Sequence, residues 1–323
     1  MPDSVTSSFS EPDDFEAALR DDGCVGLLIT GRGRFSAHLT HVALQTLRMS
    51  ATEERVPRIA LMAAPIDRVL IGFSIDGTPP VCGGMAMRSD EIITLSAGGQ
   101  VHTRTGGPAR WGSIWLPVDE LIRYGGAVTG VPFDIPPAVR RWRPPLGARR
   151  GLRELHAAAI RTAARQPQAL VNAEAARGLE QQLIYAAVEC LTGDPEATSR
   201  AEGRHQDIMV RFDNLLRLEP EKDLRIAVIC EQLDVSERLL RSLCADHLGI
   251  GPVHYNRLRR MWLTRRALRR SDPEASVSAI ARQFGFRSPG RFAVGYRAAF
   301  GETPSITLRR GRDGVMNKTD LES

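Results

Sequence analysis

The sequence has few cysteines and no C-x-x-C pair. Its 323 residues include five scattered cysteines, an odd number that argues against a disulfide framework or a cysteine-ligated zinc site. No apolar run approaches the roughly 18 residues that a membrane span requires. The opening MPDSVTSSFSEPDD lacks the basic start and apolar centre of a signal peptide. These absences predict a cytoplasmic protein with reduced, buried thiols and no membrane contact.

Sequence signatures of common catalytic and cofactor sites are also missing. There is no P-loop, no G-x-S-x-G and no G-x-G-x-x-G. Cys82, in PPVCGGM, matches no nucleophile motif and is interpreted as a buried thiol. His38 and His41 are three residues apart and His102 lies far from both, which favours surface or interior histidines over a metal site. The sequence predicts no enzyme, no metal and no cofactor.

Positive charge is concentrated near the C-terminal end. The segment 224–310 contains 16 arginines, no lysine and 7 acidic residues, so it carries +9 in a chain whose total is +5. A basic segment attached to a slightly acidic remainder indicates a polyanion-binding module. The alternative is a solvated basic face, which charge alone does not exclude.

The chain divides by composition into successive regions. Short apolar runs separated by Gly- and Pro-rich turns predict a mostly β domain. The proline- and arginine-rich PPAVRRWRPPLGARR then resembles a linker or strap, and helical spacing of apolar residues follows. The predicted boundaries are a disordered lead over 1–14, a β-rich domain over 15–145, a helical linker or dimerisation region over 151–218, an all-α domain over 221–312 and a frayed tail over 313–323.

One pattern of apolar and small residues occurs twice in the basic segment. ICEQLDVSERLLRSL begins at Ile229 and IARQFGFRSPGRFAVGY begins at Ile280, an offset of 51. After the turn, Leu240, Cys244, Gly249 and Pro252 correspond to Phe292, Tyr296, Gly301 and Pro304 at an offset of 52. The same supersecondary unit is therefore repeated, with one extra residue in the second turn.

Each copy is predicted to be two short helices joined by a tight turn. Ser236 and Ser288 are predicted N-caps of the second helices, and Pro289 suits the first helical position. Gly249 and Gly301 are predicted C′ residues. Two helices with an arginine-bearing outer face on the second describe a helix-turn-helix. A pair of helical hairpins without DNA-binding function is the structural alternative.

The repeated segment resembles the DNA-binding region of the AraC/XylS family of bacterial transcription regulators. The second copy carries the family's G-F dipeptide, spaced aromatics and G-x-x-P, as Gly285-Phe286, Phe292, Tyr296, Gly301 and Pro304. An arginine-led connecting helix is matched by Arg260, Met261, Arg265 and Leu268. The sequence departs from the family at Cys244, where Phe is usual, at Thr264, where Ala is usual, and at Gly290.

The resemblance implies two recognition helices in successive major-groove segments, joined by a connecting helix roughly 28 Å long. Base-reading candidates are Glu237, Arg238, Arg241, Ser242, Arg287, Pro289, Gly290, Arg291, Val294 and Arg297. Phosphate-contact candidates are Ser236, Arg257, Arg259, Arg266, Arg269 and Ser288, of which the serines are caps first and any arginine could be solvated charge.

For the N-terminal half, the resemblance implies a cupin-like β-barrel that binds a small-molecule effector. A glycine-rich stretch with the composition of a ligand-binding opening contains the effector-site candidates His102, Arg104, Trp111 and Trp115. Two core tryptophans on a β-hairpin would give the same pattern. The amphipathic stretch 174–191 suits pairing between two chains or packing within one. The resemblance favours a homodimeric activator.

The expected fold is α+β and multidomain, with a β barrel, a helical region and two helix-turn-helix units. Expected partners are double-stranded promoter DNA, RNA polymerase and an effector. Two other functional classes stay open. One is a cupin-type enzyme or DNA-repair protein with a DNA-binding end, although scattered cysteines do not supply the zinc site of such repair proteins. The other is an architectural DNA binder without an effector.

Overall fold

The computed structural model describes residues 3–135, 138–193, 200–220, 224–270 and 275–319, with side chains omitted at 200 and beyond 311. Chain contacts divide it into two compact units, 1–206 and 207–323. The single division at 206/207 differs from the predicted boundaries at 151 and 221. Most of the predicted helical region, 151–218, belongs to the N-terminal unit. No helix of the described part is both long and apolar enough to cross a membrane.

The N-terminal unit is mostly β, as predicted. Its described strands are β1 Asp3–Phe9, β2 Cys24–Ile29, β3 Ala37–Ala43, β4 Arg48–Glu54, β5 Arg58–Ala63, β6 Arg68–Gly77, β7 Val81–Cys82, β8 Met85–Ala86, β9 Ile92–Leu95, β10 Gln100–Thr105, β11 Ala109–Pro117 and β12 Val139–Trp142. They form a seven-stranded sheet in the order β1-β3-β4-β11-β6-β9-β12 and a five-stranded sheet in the order β2-β5-β10-β7-β8. Among these strands the pairing gives two open sheets rather than the expected closed barrel.

The helices follow in chain order. They are α1 Pro12–Ala18, α2 Val118–Thr129, α3 Leu146–Arg165, α4 Gln168–Val171, α5 Ala173–Cys190, α6 Arg200–Leu218, α7 Ile226–Leu233, α8 Glu237–Leu248, α9 Pro252–Arg269, α10 Val277–Gln283, α11 Pro289–Phe300 and α12 Pro304–Thr319. The helical character expected over 151–218 is confirmed for the described residues.

Two terminal expectations are corrected. The segment expected to be a disordered lead forms β1, which pairs antiparallel with β3 from Asp3 opposite Ala43 to Phe9 opposite Ala37, and α1 begins at Pro12. Residues 1 and 2 lie outside the described part. At the other end, α12 continues to Thr319, past the expected start of the tail at 313.

The expected linker at the end of the β region is partly built into the sheet. β12 pairs with β9, and the indole nitrogen of Trp142 donates to Thr94 Oγ1 at 3.0 Å. Arg143 lies 3.2 Å from the buried carboxylate of Glu91, which fixes the chain as it leaves the strand. Pro136 and Pro137 lie outside the described residues.

The helix α5 packs its apolar face within its own chain. Leu183, Ala187 and Leu191 are buried in the main core of the N-terminal unit. Its Glu180 is also buried and accepts hydrogen bonds from the backbone amides of Gln45, Thr46 and Leu47 at 2.9–3.1 Å. The alternative of packing within one chain therefore accounts for this amphipathic stretch, and its apolar face is not available to pair with a second chain.

Candidate nucleic-acid interface

The first helix-turn-helix is built as its sequence predicts. Asp234 takes a left-handed conformation with φ of 54° at the turn between α7 and α8. The Ser236 hydroxyl caps α8 by accepting from the Leu239 amide at 3.2 Å. Leu240 and Cys244 are fully buried, and Gly249 ends the helix with φ of 72°. The turn and cap together fix where the outer face of α8 begins.

The second unit repeats this arrangement with one difference in its capping. Gly285 makes the turn with φ of 77°. Ser288 occupies the N-cap position of α11, but its side chain makes no capping hydrogen bond. The serine that does cap is Ser276, whose hydroxyl accepts from the Ala279 amide at 3.1 Å at the start of α10. The capping prediction is thus confirmed for Ser236 and only positionally for Ser288.

The recognition helix α11 is anchored by aromatic packing. Phe292 and Tyr296 are buried with ring centroids 5.4 Å apart, and the Phe300 ring lies 4.5 Å from that of Tyr296. The Tyr296 hydroxyl donates to Thr307 Oγ1 at 2.9 Å. These contacts tie α11 to α12 and leave its opposite face exposed.

The connecting helix α9 has 18 residues, so it is about 27 Å long. Two of its arginines are buried rather than available to DNA. Arg260 donates to the Phe284 carbonyl at 3.1 Å and lies over the Phe286 ring at 5.0 Å. The Arg265 guanidinium lies beside the touching rings of Trp262 and Phe300, at 5.5 and 5.2 Å from their centroids. Arg260 and Arg265 therefore stabilise the second helix-turn-helix unit and do not add to its exposed basic surface.

A glycine inside the second recognition helix allows close packing. A Cβ on Gly295 would lie 2.7 Å from both Met261 Cε and Arg257 Nη2 of α9. Gly290, the glycine that departs from the family pattern, has open space around its Cβ position. The helix is thus closely packed at Gly295 and unobstructed at Gly290, near its exposed N-terminal end.

The end of α6 belongs to the C-terminal unit through a buried polar cluster. The Asp213 carboxylate accepts from the Tyr255 hydroxyl and from Arg217 Nε, both at 2.7 Å. The rings of Phe212 and Tyr255 lie 5.9 Å apart. Burial raises the pKa of Tyr255, and Asp213 adds to that rise because a phenolate would face a carboxylate. The C-terminal unit is therefore stabilised by residues of α6, which precede its predicted start at residue 221.

Every base-reading candidate is exposed on the outer face of its helix or turn. In the first unit, Arg241 donates from Nε and Nη2 to Glu237 Oε1 at 2.8 and 2.5 Å, so these two candidates are paired with each other. In the second helix-turn-helix unit, Val294 is 74% exposed. An apolar side chain so exposed on a recognition helix is available for contact with a thymine methyl group.

The phosphate-contact candidates differ in exposure. Ser236, Ser288 and Arg257 are exposed, whereas Arg259, Arg266 and Arg269 are half-buried. Burial lowers the pKa of Arg259, and Asp213 opposes that effect. Arg259 is therefore part of the surroundings of the buried cluster at Asp213.

The N-terminal ligand candidates do not come together. Trp111 lines an interior cavity between the sheets, and Trp115, on the same face of β11, is buried in an adjoining core cluster. His102 and Arg104 lie on the other face of β10 from the cavity-lining Val101 and Thr103, since side chains alternate along a strand. His102 is fully buried. These four residues are close along the chain, but the alternation of side chains along β10 and β11 places them on different faces of the strands.

The Cys82 thiol is buried, as the sequence predicts, and His38 and His41 each lie beside a polar side chain. Burial raises the pKa of the Cys82 thiol to about 12, and its Sγ lies 3.5 Å from Met87 Sδ. His38 Nδ1 is hydrogen-bonded to Ser8 Oγ at 2.8 Å, and His41 Nδ1 lies 3.7 Å from Asp22 Oδ1. Across the described residues no cluster of side chains is suited to hold a metal ion.

Comparison with known proteins identifies one family and several similar proteins. A family described as "Helix-turn-helix domain" matches residues 229–310. The XylDLEGF operon transcriptional activator of Pseudomonas putida is 39% identical over 98 residues, covering 29% of this chain and 30% of that protein. The HTH-type transcriptional activator RhaS of Escherichia coli O139:H28 (strain E24377A / ETEC) is 38% identical over 89 residues, covering 27% and 31%.

The chain thus matches less than a third of each of these relatives' length. Among solved structures, the AraC-like transcriptional activator CuxR aligns with 80% of this chain and 93% of its own, with 16% identity and a TM-score of 0.44. Both of these relatives are named as transcription activators.

Proposed function

We propose that this chain, whose C-terminal domain is an AraC/XylS-type helix-turn-helix domain, is a sequence-specific transcription activator that reads two successive major-groove segments. The observation that carries the proposal is the pair of helix-turn-helix units, each ending in a helix with an exposed basic face, joined by α9. At about 27 Å, α9 is close in length to one turn of duplex, about 34 Å.

In the first unit we assign base reading to Glu237, Arg238, Arg241 and Ser242. Arg238 and Arg241 each have the fork geometry that pairs with guanine O6 and N7, which discriminates by about 1–3 kcal/mol. Glu237 can accept from cytosine N4 or orient Arg241. Because the Glu237–Arg241 pair is already formed without DNA, the guanidinium is held in place before the complex forms.

In the second unit we assign base reading to Arg287, Pro289, Gly290, Arg291, Val294 and Arg297. We assign guanine reading in this set to Arg291. Arg297 is nearer the C-terminal end of α11 and is therefore placed closer to the DNA backbone. Pro289, Gly290 and Val294 cannot hydrogen-bond through their side chains, so they read shape or thymine methyl groups. This unit is therefore expected to be less dependent on hydrogen bonds than the first.

Phosphate contacts position the protein without reading sequence. Arg257 is the strongest candidate because it is exposed at the start of α9. Ser236 and Ser288 are exposed at the N-terminal ends of the recognition helices, where hydroxyls and amides can donate to phosphate. Arg259, Arg266 and Arg269 are assigned a secondary, electrostatic contribution because they are half-buried.

The N-terminal unit is proposed to bind a small-molecule effector and to change how the DNA-binding units are presented. Such an effector must bind two arrangements of the protein with different affinity, since equal affinity shifts no equilibrium. The protein is proposed to act in the cytoplasm as a homodimer, without enzymatic activity, and to contact RNA polymerase at the promoter. The names of the relatives, transcription activators, support the activator assignment.

The test is selection of bound sequences from a random duplex pool, using the full-length protein at moderate salt. The proposal expects a motif with two short blocks about one helical turn, 10–10.5 base pairs, apart. Recovery of unselected DNA would instead indicate an architectural binder, and recovery of no DNA would overturn the proposal.

A further inference from the structure

One arginine of the connecting helix α9 lies against the second recognition helix. A Cβ added to Gly295, in the middle of α11, would lie 2.7 Å from Arg257 Nη2 and 3.7 Å from Arg257 Cζ. Because glycine has no Cβ, the guanidinium of Arg257 occupies the space that any other side chain at position 295 would take. Arg257 is therefore placed beside α11, although in the sequence it follows the first helix-turn-helix unit.

The guanidinium in this position is available to an anion. Arg257 is exposed, and it makes no hydrogen bond or ion pair with any of the residues that the structure describes. Arg260 and Arg265 of the same helix are, in contrast, buried and held against aromatic rings. The charge of Arg257 is thus neither neutralised nor covered, and it lies next to a recognition helix.

One helical turn before Gly295, α11 carries a base-reading candidate. Arg291 precedes Gly295 by four residues, so the two lie on the same side of the helix, about 6 Å apart along its axis. A helix that reads bases in the major groove lies between the phosphates that line the same groove segment. The position of Arg257 beside Gly295 therefore places its guanidinium near phosphates of the segment that α11 enters.

We propose that Gly295 is a positioning residue for DNA recognition, which seats the guanidinium of Arg257 beside α11 so that it binds a phosphate flanking the second of the two blocks. Arg257 then connects the two helix-turn-helix units, because its helix begins where the first unit ends and its phosphate belongs to the second. This inference rests on the proposed function, since it assigns one phosphate contact to one recognition helix. Alanine at position 295 would displace the guanidinium and remove the contact.

Gly295→Ala is expected to leave the fold intact. The atoms that its Cβ would meet, Arg257 Nη2 and Met261 Cε, are the far ends of flexible side chains that can rotate away. Alanine is also a better helix former than glycine. The unfolding temperature of this variant should therefore stay close to that of the wild type, so that a change in DNA binding reports on Arg257.

The experiment compares the full-length wild type, Arg257→Ala, Gly295→Ala and the double variant on the selected DNA sequence over a range of salt concentrations. Each single variant should weaken binding by about tenfold, the effect of one charge-assisted hydrogen bond. Each should also reduce the salt slope by about one unit, which corresponds to one lost phosphate contact. Combining the two changes should cause no further loss, because both remove the same contact.

Ethylation of individual phosphates locates the contact. The phosphate bound by Arg257 is one whose ethylation weakens binding of the wild type but of neither single variant. We expect it to flank the block whose base preference is lost in Arg291→Ala. The matched control is Gly290→Ala, a second glycine-to-alanine change on α11, with open space at its Cβ position. This control should retain the wild-type salt slope and the wild-type response to ethylation.

The possible failures are distinguishable. A wild type that selects no DNA motif would overturn the proposed function and this inference with it. If the wild type selects the two-block motif, equal salt slopes in the wild type and Gly295→Ala would overturn this inference alone. So would a further loss in the double variant, which would show that Gly295 acts through the packing of α11, or an affected phosphate that flanks the other block.

Discussion

Arg241 donates two hydrogen bonds to Glu237 one helical turn earlier on α8, at 2.8 and 2.5 Å. Both residues are exposed and both are base-reading candidates. An exposed pair at this spacing contributes about 0.3–0.5 kcal/mol to helix stability. Its larger effect is expected in the complex, where Glu237 holds the Arg241 guanidinium in one orientation and adds negative charge near the DNA.

Glu237→Gln should therefore leave the fold intact and change recognition. We expect tighter binding to DNA of any sequence, because one negative charge is removed, and a loss of about 1 kcal/mol of discrimination at the base pair read by Arg241. Titration of the selected site and of point variants of it measures both effects. Glu231→Gln, an equal charge change at an exposed position on α7, is the control. Unchanged discrimination in Glu237→Gln would show that Arg241 does not depend on this partner.

The buried cluster at Asp213 predicts a stability effect in the C-terminal unit. Tyr255→Phe removes the hydroxyl that donates to Asp213 at 2.7 Å and leaves that carboxylate with Arg217. We expect urea unfolding to show a loss of about 1–3 kcal/mol for the C-terminal unit. Tyr185→Phe alters an exposed tyrosine on α5 and should have no effect. Equal stability of the two variants would contradict the assignment of α6 to the core of this unit.

His156 predicts a pH dependence for the N-terminal unit. Its Nε2 donates to the Ser50 carbonyl at 2.9 Å, its ring packs edge-on against Phe73, and burial lowers its pKa from 6.5 to about 4. The unfolded chain takes up a proton near pH 6.5 while the folded protein does not. Stability is therefore present above pH 6.5 and is lost, by roughly 3 kcal/mol, as the pH falls from 6.5 to 4.

The measurement is urea unfolding of the N-terminal unit at several pH values in that range. His156→Gln should remove this part of the pH dependence, whereas His38→Gln, a change at an exposed position, should retain it. An identical pH dependence in the wild type and His156→Gln would show that other groups cause the acid sensitivity.

Two glycines of the N-terminal unit predict opposite effects of the same substitution. A Cβ on Gly72 would lie 2.2 Å from Cζ2 of Trp111, a rigid ring that lines the cavity. Gly72→Ala should therefore destabilise by about 1–3 kcal/mol. Gly178 lies on the exposed face of α5 with nothing near its Cβ position, so Gly178→Ala should stabilise by up to about 1 kcal/mol. Thermal unfolding compares the two, and a shift of the same sign in both would contradict this packing.

The sequence predicts the C-terminal unit better than the N-terminal one, for a physical reason. The residues that define a helix-turn-helix are local: Ser236 caps the helix that it precedes, and Gly249, Gly285 and Gly301 stand where the backbone turns left-handed. Short-range chemistry of this kind can be read from spacing alone. The buried positions Leu240, Phe292 and Tyr296 follow from helical periodicity in the same way.

Features that depend on distant partners could not be read in this way. Arg260 and Arg265 counted as basic charge, but they are buried against aromatic rings that lie up to 35 residues away in sequence, Arg265 against Phe300. Asp22 gives no signal in the sequence, because its burial beside the interior cavity depends on strands that are distant along the chain. Likewise, the sequence predicts a disordered lead where β1 forms, since this polar segment becomes a strand only through its pairing with β3.

The most direct test of the central claim is to repeat the random-pool selection with the wild type, Arg238→Ala and Arg291→Ala in parallel. Arg238 is on α8 and Arg291 is on α11, and both are exposed. If each unit reads its own major-groove segment, each variant should lose base preference in one block only, and the two lost blocks should differ and lie about one helical turn apart. Loss of preference in the same block, or in neither, would contradict two-unit reading.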